Sequence, residues 1–204
     1  MNGNLFDVDP VANLLPCDGI VQDYGLIFDA LESEQCLHYF LQHLHWQADE
    51  VRLFGQYYQT ERKVAWYADE TYTYVYSGMP KQAHIWQPAL LRLKQRIEQI
   101  VGHPFNSCLA NLYENGSQGM GWHSDNERSL GSQPVIASLS FGVTRKFRFK
   151  HQMQKLTVDC MLQSGQLLVM RGDTQHYWKH CLSKSTRILS PRINFTFRYF
   201  YPNS

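Results

Sequence analysis

Hydrophobic positions recur at helical spacing in two windows of the chain and alternate with polar ones through most of the rest. In ESEQCLHYFLQHLHW (32–46), Cys36, Leu37, Phe40, Leu41 and Leu44 share one face, and Glu32 or Ser33 can serve the start. In PALLRLKQRIEQIVG (88–102), Pro88 sits in the first turn, Leu90, Leu93, Ile97 and Ile100 form the apolar stripe, and Gly102 is the stop. Between the two, VRLFGQYYQ and WYADETYTYVYSG read as strands joined by loops. From about Asn106 onward the chain is short strands punctuated by Gly, Ser and Pro: CLANLY, VIASLSFGV, RKFRFK, QLLVM and RINFTFRYF. Helices first and then a run of antiparallel strands predict an α+β fold, its strands closing into a two-sheet jelly roll or a similar barrel.

Length and composition narrow this picture. The 204 residues suit one domain, with helices and loops over about 1–105 and the barrel over about 106–201. A hydrophobic share of 44% with 18% charged residues is that of a folded soluble protein. The 5 cysteines are odd in number and form no CxxC pair, which argues against a disulfide framework or a thiolate zinc site and fits a reducing cytosol. No apolar run approaches the roughly 20 residues of a membrane span. The start, MNGNLFDVDP, lacks the basic opening and apolar core of a signal peptide. The expectation is a cytoplasmic monomer with no membrane partner. A net charge of +1 does not announce nucleic-acid binding, so such a function would rest on a local patch. TRKFRFK offers one, with Phe147 and Phe149 on one strand face and Lys146, Arg148 and Lys150 on the other; it reads equally as an edge strand guarded by lysines.

Candidate chemistry lies in three segments whose polar residues share a parity. In RINFTFR, Ile193, Phe195 and Phe197 form the packed face, and Arg192, Asn194, Thr196 and Arg198 form either a solvated outside or the polar lining of an anion pocket. Asn111 and Tyr113 share a face in NLY, as do His123 and Asp125 in WHSDNERSLG. A metal held by His123 and Asp125 needs a later ligand. His180 in QHYWKHCLSK is the choice, His176 the alternative, and His151, among lysines, is expected at the surface. Two His and one carboxylate bind one face of iron(II), leaving positions for a 2-oxo acid and dioxygen. The distal carboxylate of that acid needs a cation, Arg192 or Arg198. Their α-carbons lie about 20 Å apart on an extended strand, so both can serve one small ligand only if the side chains converge or the strand bends.

The segments NLYENG, WHSDNE, IASLSFG, WKHCL and SPRINFTFR, in this order, resemble the AlkB family of iron(II)- and 2-oxoglutarate-dependent nucleic-acid dealkylases, in particular the members represented by the human DNA and RNA repair homologues. The resemblance covers roughly Val51 to Tyr201. It implies a double-stranded β-helix with His123, Asp125 and His180 as iron ligands. It further implies that Asn111, Tyr113, Arg192, Thr196 and Arg198 hold 2-oxoglutarate, with Asn194 ordering the pocket and Arg192 on the distal carboxylate. The activity it implies is oxidative removal of alkyl groups from ring nitrogens of bases such as 1-methyladenine and 3-methylcytosine, in alkylated DNA or RNA, with release of formaldehyde and succinate.

Such an enzyme flips its base or acts on single strands. In RKVAWYADETYTYVYSG, which resembles the family's nucleotide-recognition lid, Tyr76 takes the place of the residue that sandwiches the base against His123, a stack worth roughly 1–3 kcal/mol. Tyr74 and Ser77 flank it, and Phe54 resembles the wedge that fills the gap in a duplex. Where these repair enzymes often carry an acidic residue directly after the metal Asp, this chain has Asn126 and then Glu127; an amide reads an exocyclic amino group less selectively. The location implied is with DNA, at the nucleoid or in the nucleus. Competing readings are a hydroxylase of a protein or small molecule, a binding module without catalysis, and a zinc hydrolase, which leaves the RINFTFR face unexplained.

Overall fold

The computed structural model describes residues 12–53, 56–76 and 79–202. Helix α1 (Ala30–His43) begins two residues before the expected start. Asp29 is its N-cap and closes a capping box with Glu32: Glu32 N donates to Asp29 Oδ1 at 2.8 Å and Asp29 N to Glu32 Oε2 at 3.1 Å. Helix α2 (Pro88–Val101) matches the sequence signals, with Pro88 in the first turn and Gly102 in the left-handed conformation at φ 66°. Its buried stripe is Leu90, Leu93, Ile97 and Val101, while Ile100 is exposed.

The strands are β1 (Ile20–Leu26), β2 (Gln47–Leu53), β3 (Gln56–Ala68), β4 (Thr73–Tyr76), β5 (Met79–Gln82), β6 (His84–Ile85), β7 (Ser107–Tyr113), β8 (Met120–His123), β9 (Ile136–Gly142), β10 (Arg145–His151), β11 (Thr157–Leu162), β12 (Gln166–Arg171), β13 (Trp178–Leu182) and β14 (Arg192–Arg198). The major sheet runs β1-β12-β9-β14-β7-β3-β2, with β6 beside β3, and the minor sheet runs β11-β10-β13-β8. Strands β4 and β5 form a separate hairpin. Pairing is antiparallel except between β3 and β6. This is the jelly roll expected, with one addition: β1, β2 and β3, from the N-terminal half, extend the major sheet at both sides.

The central strand β14 decides between the two readings of RINFTFR. Ile193, Phe195 and Phe197 are fully buried in one cluster with Phe40, Leu44, Leu90, Leu93 and Ile97 of the helical layer. The helices therefore cover the apolar face, and the polar face turns inward to line a cavity between the sheets. A second cluster fills the space between the sheets beside that cavity, built from Tyr113, Phe147, Phe149, Leu168, Met170, Trp178 and Leu182.

Strand β10 is internal, between β11 and β13, so it is not a guarded edge. On its outer face Lys146 and Arg148 pair with Asp159 of β11 at 2.9 and 2.7 Å, which neutralises part of the basic ridge. Its inner face carries charge at the end as well: Arg145 is buried and donates to the carbonyl oxygens of Asn115, Gly116, Gln118 and Ser183. These bonds clamp the loop that leads into β8. The same loop needs glycine, because a Cβ at Gly116 would collide with the carbonyl oxygen of Ser185 and one at Gly119 would sit 2.7 Å from that of Leu182. Among the described residues, no helix is long and apolar enough to cross a membrane.

Replacing Arg145 with Met strands several buried carbonyls. The expected loss is about 2–4 kcal/mol in urea unfolding; an unchanged midpoint contradicts the clamp.

Candidate metal centre

Strands β8 and β13 pair so that His123 lies directly opposite His180. Next the register shifts, Leu182 pairing with Met120, so β8 carries an extra residue. This bulge breaks the two-residue alternation and lets Met120 and His123 both line the cavity while Trp122 stays exposed. The imidazole rings of His123 and His180 are 4.2 Å apart, and His123 Nε2 lies 3.9 Å from Asp125 Oδ1. Ligand atoms of His123, Asp125 and His180 all fall within 4.8 Å of one another.

Protonation favours a cation. Nδ1 of His123 is 2.8 Å from the carbonyl oxygen of Gly121, so it donates there and Nε2 is the nitrogen turned toward Asp125. Burial, together with the neighbouring His123, lowers His180 to about 3, so its imidazole is neutral. Its Nδ1 is buried without a hydrogen-bond partner. Burial raises the Asp125 carboxyl, but Arg198, His180 and His123 outweigh this and leave it below the usual range. Arg198 Nη2 bonds Asp125 Oδ2 at 3.0 Å, and the Asp125 amide donates to Oε1 of Gln175 at 2.9 Å. A neutral imidazole at His180 and an ionised carboxylate at Asp125 are the protonation states a divalent metal requires of those two ligands.

Beside the triad, β14 supplies the donors. Its register sets Arg192 opposite Tyr113, Asn194 opposite Asn111 and Ser140, and Thr196 opposite Ser138. Arg192 is 2% exposed; its Nη2 donates to Ser140 Oγ at 2.8 Å and Asn194 Oδ1 at 2.9 Å. Asn194 passes the chain on to Thr196 Oγ1 at 2.9 Å. Among the described residues no carboxylate pairs with Arg192, and its Nε is buried without a partner. Burial lowers its guanidinium to about 10, still protonated at neutral pH. An unpaired buried cation of this kind is a receptor for a carboxylate. The two arginines do not converge: Arg198 serves the metal end through Asp125, and Arg192 stands at the far end of the strand. Burial raises the Tyr113 phenol, so it stays a neutral donor near Arg192. The cavity lined by the triad, Tyr113 and the polar face of β14 measures about 760 Å³, more than a small dicarboxylate fills.

The remaining residues expected from sequence divide. Glu127 lines the cavity with a buried, unpartnered Oε2, whereas Asn126 is exposed and outside the lining. Tyr74 and Tyr76 lie on β4; Phe54 and Ser77 lie outside the described residues. His176 is exposed on the short turn of helix α3 (Thr174–Tyr177). His151 is not at the surface. It is buried, its Nδ1 accepts from the amides of Met153 and Gln154, and its Nε2 therefore carries the proton toward Asp18 at 3.1 Å. Cys17 completes a second cluster there, but with both ring nitrogens engaged the histidine is a fastening for the N-terminal segment. Sequence reasoning missed Gln175, Ser138 and Ser140. The serines alternate in IASLSFG and carried a parity signal; Gln175 carried none.

A cross-strand histidine pair, an aspartate beside it and an arginine strand on the facing sheet define an oxygenase of the iron(II) and 2-oxo acid class. The model of the 2OG-Fe(II) oxygenase superfamily matches residues 25–198. Alpha-ketoglutarate-dependent dioxygenase alkB homolog 3 of Homo sapiens is 39% identical over 191 residues, covering 88% of this chain and 66% of that one. The Bos taurus protein of the same name is 43% identical over 157 residues, covering 72% and 54%. The chain thus spans less than two thirds of either. DNA oxidative demethylase ALKBH2 of Mus musculus is 34% identical over 199 residues, covering 92% of this chain and 83% of that one. The solved structure of OsALKBH1 superposes with a TM-score of 0.59 at 13% identity, covering 91% of this chain and 98% of that one. The chain belongs to the AlkB homologues within the 2OG-Fe(II) oxygenase superfamily, and its cofactors are iron(II) and 2-oxoglutarate.

Gln175 orients the segment that presents Asp125. Gln175→Met is expected to weaken manganese(II) binding tenfold to a hundredfold by titration calorimetry, at about the cost of losing a ligand's supporting hydrogen bond; unchanged affinity removes Gln175 from the site.

Proposed function

We propose that the protein is a dioxygenase that removes alkyl groups from ring nitrogens of bases in DNA, acting on substrates such as 1-methyladenine and 3-methylcytosine. The observation that carries this reading is the buried, carboxylate-free Arg192 lining the same cavity as the His123, Asp125 and His180 cluster, from the facing sheet. The names of the relatives, an alkB homolog 3 dioxygenase and a DNA oxidative demethylase, support the substrate.

When bound, iron(II) and 2-oxoglutarate with dioxygen supply the oxidation that puts oxygen on the alkyl carbon, which leaves as formaldehyde while the 2-oxo acid leaves as succinate and carbon dioxide. The protein's part is placement. His123, Asp125 and His180 hold the metal. Arg192 takes the distal carboxylate of the 2-oxo acid, aided by the Tyr113 hydroxyl, with Asn111, Thr196 and the Asn194 amide ordering the slot. Arg198 keeps Asp125 ionised. The rest of the cavity takes the base, where Glu127 Oε2 accepts from an exocyclic amino group and Tyr76 stacks opposite His123. Tyr74, Ser77 and Phe54 meet the flanking strand, and Asn126 faces it from outside. The protein works as a monomer in the compartment that holds DNA, nucleoid or nucleus.

Methylated oligonucleotides incubated with the protein, iron(II), 2-oxoglutarate and ascorbate are expected to release formaldehyde and succinate in equal amounts. Single-stranded, duplex and RNA arms give the strand preference. No turnover of either lesion in any arm rejects the substrate, and 2-oxoglutarate consumption that persists without them points to a protein or small-molecule hydroxylase.

Arg192→Met tests the slot. It is expected to raise the Kd for 2-oxoglutarate about 30-fold or more, the usual cost of truncating one partner of a buried charge pair, with metal affinity held. An unchanged Kd excludes Arg192 from the slot.

A further inference from the structure

A second charged cluster sits in the cavity wall, apart from the groups used above. Asp49 on β2 is 2% exposed, and its two carboxylate oxygens are divided: Oδ2 bonds Arg62 of β3 and Oδ1 bonds Lys81 of β5. Arg62 also touches Met120 of β8, the strand of His123.

A fault in the sheet creates the cluster. Strands β2 and β3 pair regularly through Gln47↔Val64 and Ala48↔Lys63, and pairing resumes at Glu50↔Gln59. Asp49 alone thus stands against residues 60–62 of β3. Bulges of this kind re-aim side chains next to active sites, and here Asp49 and Arg62 both line the cavity. Lys81 reaches them from the β4–β5 hairpin, where it is the register partner of Tyr74. Among the described residues, the Asp49–Lys81 contact is the one ion pair between this hairpin and the sheets. A buried carboxylate costs several kcal/mol to desolvate, and apolar residues of similar volume would stabilise the fold equally well or better. What the ion pair supplies instead is a fixed position.

We propose that Asp49 is a positioning residue for the substrate base: by holding Lys81 it latches the β4–β5 hairpin against the cavity and sets where Tyr74 and Tyr76 stand relative to the triad. This rests on the nucleic-acid reading above. Arg62 holds the carboxylate aimed at Lys81, so the latch is assembled before substrate arrives. Loss of either latch partner frees the hairpin without touching the metal or the 2-oxoglutarate slot, which lie on other strands.

The test uses the full chain as wild type, Asp49→Asn, Lys81→Met, Lys81→Arg and the Asp49→Asn/Lys81→Met double variant. Amide hydrogen exchange without nucleic acid is expected to speed up about tenfold or more over residues 73–82 in both single neutral variants, and no further in the double. Lys81→Arg restores protection. KM for the methylated oligonucleotide rises about tenfold in the neutral variants while the Kd for 2-oxoglutarate stays within about twofold. Wild-type exchange over 73–82 in Lys81→Met overturns the latch, as does faster exchange spread over the whole chain. Lys81→Met decides the matter if Asp49→Asn does not fold. Should wild type turn over no oligonucleotide, the substrate reading fails while the exchange data still judge the latch; should it turn over and the variants match it in KM, the latch alone fails.

Discussion

The register between β8 and β13 is the constraint on which the rest depends. Opposed residues on antiparallel strands have Cβ atoms about 4.5–5.5 Å apart, so pairing His123 with His180 brings two imidazoles to one point with no long-range adjustment. The bulge beside that pair turns Met120 inward as well. One slipped residue would send His180 to the outer face. The Arg145 clamp and the glycine contacts upstream of β8 hold that register, so residues that never meet a ligand determine where the site forms.

The facing sheet supplies the complementary half. Strand β14 is buried on both faces, by the helical layer on one and by the cavity on the other. This permits a guanidinium in the interior: Ser140 and Asn194 hold Arg192, and burial with no carboxylate partner among the described residues leaves it to bind one from outside. Arg198 links the two halves through Asp125, keeping the aspartate charged beside two histidines, one of them driven neutral by burial.

Much of this was legible in the sequence because alternation is a local property. The parity of RINFTFR, NLY and HSD named the inward polar residues, and the caps of α2 were written in Pro88 and Gly102. Alternation could not say which face of β14 met water; that depends on helices some hundred residues earlier in the chain. It also fails at bulges. Asp49 and Met120 point inward only because their strands carry irregular pairing, and nothing local marks them. Buried polar residues with distant partners were likewise invisible: Gln175 bonds 50 positions away, and His151, surrounded by lysines in sequence, is fastened to Asp18. The start of α1 was misplaced because Asp29, with a carboxylate three residues on, makes the better capping box.

Anomalous diffraction from crystals grown without oxygen, in manganese(II) and 2-oxoglutarate, is the most direct measurement of the central claim. The account predicts one strong metal peak bounded by His123, Asp125 and His180, with the acid chelating that ion and its far carboxylate on Arg192. A metal peak at the Cys17, Asp18 and His151 cluster with none at the triad, or an acid that leaves Arg192 untouched, would contradict it.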